Sequence, residues 1–324
     1  MPTAFVTGIS GQDGTILTAT LSAEGFAVHG LVRSIEETAE YREHVPAGVE
    51  YHVGELTDHA RVAAILRDIS PDEVYNLAGI SSVAFSWDQP VLTGEVSGLG
   101  AVGVFDAAWR HQEESGRAVR VVQASSAEIF GRPDRIPQDE STAVRPISPY
   151  GAAKAYAHQM AAIYRHRGLH VATCILYNHE SPWRPATFVT RKITHAAARI
   201  AHEGSGVLTL GDITVRRDWG WAPDYVDAMV RAVRHMTPDD FVVATGHTHT
   251  VAEFVEAAMV RAGVEDWRRH VVTDQNLARP AEVPVMVGDW TRARDVLGWQ
   301  PTVPFEEIVA RMVDHDLELV RLEP

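Results

Sequence analysis

The feature that most constrains this chain lies at its start, where an apolar strand, Ala4–Thr7, runs into the glycine-rich turn T-G-I-S-G-Q-D-G and then into a helix, Gln12–Glu24. Gly8, Gly11 and Gly14 are spaced as GxxGxxG. Glycine at these positions allows a tight turn and lets the backbone approach a pyrophosphate closely. The helix behind it offers unpaired N–H groups and a partial positive charge. A glycine triplet alone is a weak signal, but one set between a strand and a helix is a strong one. The chain therefore begins as a dinucleotide-binding βαβ unit.

The following pattern extends that unit into a sheet. Further strands are expected at Ala27–Val32, Glu50–Val53, Val74–Ala78, Val119–Ala124 and Val171–Leu176. Helices are expected between them at Asp58–Ile69, with Thr57 as N-cap, at Val91–His111 and at Pro149–His166. Strands alternating with helices imply a parallel sheet, here an α/β, doubly wound, Rossmann-type fold. After Tyr177 the rhythm changes. Residues 178–324 read mostly as a smaller C-terminal lobe that binds substrate, with some segments returning to the 1–177 dinucleotide domain. Helices there are expected at Thr190–His202 and Phe305–Leu322.

Composition narrows the function. With 324 residues the chain exceeds what one core usually organises. The net charge of −14 speaks against a nucleic-acid partner. No apolar run approaches the roughly 18 residues of a spanning helix, so no membrane is expected. MPTAFVTG lacks a signal-peptide n-region, which leads to a cytoplasmic expectation. Cys174 is the only cysteine and sits in an apolar run, as a buried inert thiol would. Of the 16 histidines, the close pairs His247/His249 and His195/His202 lack acidic or cysteine partners at zinc-like spacing, so no metal is expected.

Two further signals carry chemistry. The strand Ala27–Val32 ends in Arg33 and Ser34 rather than in the acid that would bind the ribose hydroxyls of NAD. Arg33 could hold the 2′-phosphate of NADP, with NAD left open. Tyr150 and Lys154 stand as Y-x-x-x-K at a helix start, on one face. An ammonium beside a phenol is expected to lower its pKa and make it a usable base. Ser126 lies just past the C-terminal end of the preceding strand, Val119–Ala124, where ligands bind in such sheets.

Ser126, Tyr150, Lys154 and the glycine loop together resemble the extended, sugar-nucleotide branch of the short-chain dehydrogenases/reductases. Glu128, in A-S-S-A-E-I-F-G, is similar to the glutamate that dehydratases of this branch carry and 4-epimerases generally lack. Once C4 of the sugar is a ketone the C5 proton is acidic, and a carboxylate there can remove it. TGISGQDG, PDEVYNLAGIS, ASSAEIFG, SPYGAAKAYAH, NHESPWRPATFVTRKI, RRDWGWAPDYVDAM, PDDFVVATG and RPAEVPVMVGD, in this order, resemble GDP-mannose 4,6-dehydratases from Thr7 to Asp289.

The resemblance implies a hydro-lyase that recycles NADP and takes GDP-mannose or a close manno-configured GDP-sugar. It implies catalytic Ser126, Glu128, Tyr150 and Lys154. The cofactor would meet Gly8, Ser10, Gly11, Gln12, Asp13, Gly14, Arg33, Glu55, Leu56, Leu77 and Ala78, besides Tyr150 and Lys154. The sugar nucleotide would meet Ser81, Ser126, Asn178, Val189, Thr190, Lys192, Arg217, Arg279 and Glu282. The chain departs from the family pattern in its single Arg33, its short loop to Glu50, Ala127, Ile147 and Trp183-Arg184-Pro185. A homodimer is expected, with a tetramer open. A 4-epimerase or decarboxylase of the same superfamily, or a non-catalytic dinucleotide sensor, are the alternative readings.

Overall fold

The computed structural model describes residues 1–38, 44–277 and 281–322. Its first half contains β1 (Thr3–Thr7), α1 (Gln12–Ala23), β2 (Ala27–Val32), β3 (Glu50–Val53), α2 (His59–Ile69), β4 (Glu73–Asn76), α3 (Val83–Asp88), α4 (Pro90–Thr93), α5 (Gly100–Ser115), β5 (Arg120–Ser126), α6 (Pro149–His166) and β6 (His170–Leu176). The second half contains β7 (Asn178–Glu180), α7 (Val189–Glu203), β8 (Leu208–Leu210), β9 (Arg216–Arg217), β10 (Trp219–Trp221), α8 (Ala222–Arg234), β11 (Asp240–Val243), β12 (His249–Thr250), α9 (Val251–Arg261), β13 (Val271–Thr273), β14 (Val285–Met286), α10 (Thr291–Leu297) and α11 (Phe305–Leu322).

The main sheet has seven parallel strands in the order β3-β2-β1-β4-β5-β6-β11. The order reverses between β1 and β4, and ligands of open parallel sheets bind at such a switch point. The central strands are buried on both faces, which explains why they lack the apolar–polar alternation of a half-exposed sheet. Strand β11 and helix α8 come from beyond residue 177 and pack on this sheet. A separate core joins α7, α9 and α11 around Ile193, Trp219, Phe254 and Met312.

Local chemistry sets the element ends. Gly25 takes φ +83 just past α1, a conformation that only glycine adopts readily. Asp58, not Thr57, caps α2: its carboxylate accepts from Arg61 N at 3.0 Å, while Thr57 is exposed. Strand β4 stops at Asn76, short of the expected Ala78. The expected helix Val91–His111 starts at Pro90, includes a π-helical turn at Gly94–Leu99, and continues to Ser115. Pro90–Ser115 has the length and mean hydropathy, 1.2, to cross a membrane, more than the sequence suggested. Half of its apolar window is buried, with α5 packed between α2 and α6, as a core helix would be.

Candidate active site

The phosphate loop is built by close backbone contact. Gly8 adopts φ +71, and a Cβ there would lie 2.8 Å from Ala78 N. The loops after β1 and β4 thus touch at the switch point, bringing Gly8, Leu77 and Ala78 together. A Cβ on Gly14 would lie 2.3 Å from Gly8 O. Gly11 is the N-cap of α1 and no side chain caps that helix, so its first-turn N–H groups face the loop without a side-chain acceptor. This cradle fits a pyrophosphate.

The side chains of the loop go elsewhere. Gln12 Nε2 donates to His179 O at 3.2 Å, and Ser181 Oγ donates to Gln12 Oε1 at 2.8 Å. Asp13 accepts from Gln12 at 3.1 Å and pairs with His179 Nε2 at 2.9 Å. Burial raises the Asp13 carboxyl, but the charge and hydrogen bond of His179 outweigh this and hold it below its ordinary value. Burial lowers His179, and the Asp13 carboxylate more than reverses that. Beyond them Glu180, fully buried and raised by burial, accepts from Thr190 Oγ1 at 2.6 Å and lies 3.3 Å from Arg184 Nε. Arg184 stacks on Phe188, with 3.8 Å from Cζ to the ring centroid. His179 and Glu180 are not among the site residues expected from sequence, and Arg184 enters there only as a departure from the family pattern. The signal was present: two ionisable residues directly follow the apolar strand in the NHESP segment.

The candidate catalytic side chains gather at the C-terminal edge of the sheet. Ser126 ends β5, and its Oγ accepts from Glu128 N at 3.3 Å. That bond closes a short 3-10 turn, Ala127–Ile129, and fixes where Glu128 leaves the strand. Ser148 caps α6 by accepting from Gly151 N at 3.0 Å, with Pro149 in the first turn. A Cβ on Gly151 would lie 2.5 Å from Glu128 O, so the α6 start packs directly on the Glu128 turn. The Ser126 hydroxyl lies near enough to the Tyr150 phenol to favour its ionised form.

Electrostatics here depart from the expectation of a lowered phenol. Burial pushes Tyr150 up to about 12; the Ser126 hydroxyl opposes this and the Glu128 charge adds to it. Lys154 Nζ donates to Ala124 O at 2.8 Å, 6.0 Å from the Tyr150 ring centroid. Burial brings Lys154 down to about 8. Desolvation thus dominates the shift of both groups, upward for the phenol and downward for the ammonium.

The remaining expected residues divide into groups. Leu56 is buried beside the loop after β3, and Glu55 is exposed. Ser10 lies in the loop itself, and Ser81 is exposed past β4. Asn178 opens β7 and Val189 opens α7. Lys192 is exposed, and its Nζ donates to Thr209 O at 2.7 Å. Arg217 and Glu282 form an ion pair, and Arg217 Nη1 also donates to Val283 O at 2.8 Å. Arg33 is exposed and paired with Glu37. Arg279 lies outside the described residues. Ile147 and Trp183 pack partly buried against the main core.

Comparison with known proteins agrees with this geometry. The family model for GDP-mannose 4,6 dehydratase matches residues 5–312. GDP-mannose 4,6 dehydratase 1 of Arabidopsis thaliana is 43% identical over 330 residues, covering 99% of this chain and 91% of that protein. GDP-mannose 4,6 dehydratase of Homo sapiens is 38% identical over 349 residues, with 99% and 93% covered. Among solved structures, the UDP-glucose 4-epimerase of Thermus thermophilus in complex with NAD superposes with a TM-score of 0.83 at 27% identity, covering 97% of this chain and 98% of that one. Full-length similarity to the dehydratases, together with Glu128 beside Ser126, Tyr150 and Lys154, places the chain in the GDP-mannose 4,6-dehydratase family.

Proposed function

We propose that this protein converts GDP-mannose, or a close manno-configured GDP-sugar, to the 4-keto-6-deoxy sugar nucleotide. The observation that carries this is the Glu128 turn, which Ser126 holds beside Tyr150 at the end of β5.

A nicotinamide dinucleotide fits the uncapped loop at Gly8–Gly14, and the bound ring would take up the C4 hydride and return it to C6 in each cycle. Tyr150 removes the proton of the C4 hydroxyl, with the Ser126 hydroxyl nearby to favour its ionised form. The Lys154 ammonium, anchored on Ala124 O, stabilises the phenolate that results. Glu128 removes the C5 proton, which the C4 ketone has made acidic, and delivers it to the departing C6 hydroxyl as water. The proton that Tyr150 took from the C4 hydroxyl is returned to C5 as the hydride reaches C6, so one water is the sole net loss. Asp13 and His179 hold the loop against β7 and orient both binding sites.

NADP is the proposed form, because Arg33 stands at the end of β2 with its guanidinium exposed beside Glu37. Arg33→Ala should weaken NADP binding and leave NAD binding nearly unchanged. A second copy of the chain is the proposed cover for Val91, Leu99, Tyr156 and Ile163, apolar side chains exposed on α4 through α6.

The test is mass spectrometry of the protein incubated with GDP-mannose and NADP+. A product lighter by one water, with a 4-keto group, is expected. Unchanged GDP-mannose, or an isomer of the same mass, overturns the reading.

A further inference from the structure

Away from the active site, three side chains with ligating atoms converge at the edge of the main sheet. Strands β2 and β3 run parallel in a register that sets His29 opposite Glu50 and Leu31 opposite His52. Strand alternation then puts His29, Glu50 and His52 on one face. His29 Nδ1 lies 3.0 Å from His52 Nε2 and 3.6 Å from Glu50 Oε2. The ligand atoms of all three fall within 4.8 Å of one another. Tetrahedral ligands at zinc distances are separated by about 3.3 Å, the edge that bond lengths near 2.0–2.1 Å impose. The 3.0 Å and 3.6 Å separations bracket that edge.

We propose that His29, His52 and Glu50 form a site for a divalent transition ion of the zinc type, with solvent as the fourth ligand. The donor set of two imidazoles and one carboxylate suits such an ion. The His29 side chain is 12% exposed and that of Glu50 is 72% exposed, so the nitrogen donors are sheltered and the carboxylate side is open to entry. Without metal, the facing nitrogens share a hydrogen bond. Binding requires the donating ring to shift that proton to its outer nitrogen. Helix α2 faces the cluster with Arg61 and Asp68. The Arg61 guanidinium opposes a cation but is tethered to Val53 O at 3.1 Å, while the charge of Asp68 favours one. A bound ion would join the edge strand β3 to β2.

No local ligand spacing announces this site, because the three residues lie on two strands. The experiment takes the full-length protein, strips it with a chelator, dialyses it against Zn2+ and counts retained metal by elemental analysis. One zinc per chain is expected, lost in the His29→Gln/His52→Gln double variant. Co2+ in place of zinc should give the intense visible bands of four-coordination. Glu50→Gln, at an exposed position that folding does not need, should weaken zinc binding by about tenfold or more. The proposal is overturned if the wild-type chain retains no zinc. It is equally overturned if the variants retain as much as the wild type, since other histidines would then be the ligands.

Discussion

His179 Nε2 lies 2.9 Å from the Asp13 carboxylate, joining residues 166 positions apart. Asp13 sits in the phosphate loop and His179 in β7, so one ion pair ties the cofactor cradle to the segment that opens the substrate side. The pair is buried, and removing one partner from a buried pair leaves an uncompensated charge. His179→Gln should lower unfolding free energy by about 3 kcal/mol, within the 3–5 kcal/mol range for broken buried pairs. It should also raise the cofactor KM, because the loop loses its brace. Chemical denaturation and steady-state kinetics read the two effects.

The same pair predicts a pH dependence of stability. The folded pKa of His179 lies above its ordinary value of 6.5, so the stability that its protonation supplies is complete below pH 6.5. It is lost as pH rises through the raised value. Melting temperatures measured from pH 6 to pH 9 should fall more steeply for the wild type than for His179→Gln. Parallel curves would show that the imidazolium is not what holds the loop.

Glu128→Gln removes a proton acceptor and leaves the Ser126–Glu128 backbone bond in place. Product formation should fall by about 10²–10⁴-fold, the usual contribution of general acid–base groups. Oxidation at C4 should survive in part, so reduced nicotinamide should build up on the enzyme and be visible by absorbance in single turnover. Full activity in this variant would remove Glu128 from the mechanism.

Lys154, brought down to about 8 by burial, keeps its ammonium below that pH and loses it above. The phenolate of Tyr150 needs that charge, so kcat/KM should decline above about pH 8. Lys154→Arg retains a charge at any accessible pH. That variant should be slower yet lack the alkaline limb attributed to Lys154, which a pH–rate profile would reveal.

Gly8→Ala places a Cβ 2.8 Å from Ala78 N at a residue with φ +71. Strain at such positions is about 1–3 kcal/mol. Cofactor binding should be lost before folding is, because the clash falls on the loop rather than on the core. Equilibrium binding and thermal melting, measured side by side, distinguish these outcomes.

The sequence by itself determined the layered α/β architecture and where the candidate catalytic residues Ser126, Glu128, Tyr150 and Lys154 fall on it. Helix α6 begins at Pro149 and ends at His166, as its Ser-Pro start and apolar spacing dictate, and Y-x-x-x-K falls on its first turns. Such features are local: caps, glycine turns and side-chain periodicity act over a few residues and can be read along the chain. Tertiary structure decided what depends on distant segments meeting. It spent the side chains of Gln12 and Asp13 on β7, brought Arg217 to Glu282, and returned β11 and α8 to the first sheet. It also reversed the expected shift of Tyr150, because burial, which no local pattern encodes, dominates the phenol's environment. The convergence of His29, Glu50 and His52 belongs to the same class, since only the register of two parallel strands puts them on one face.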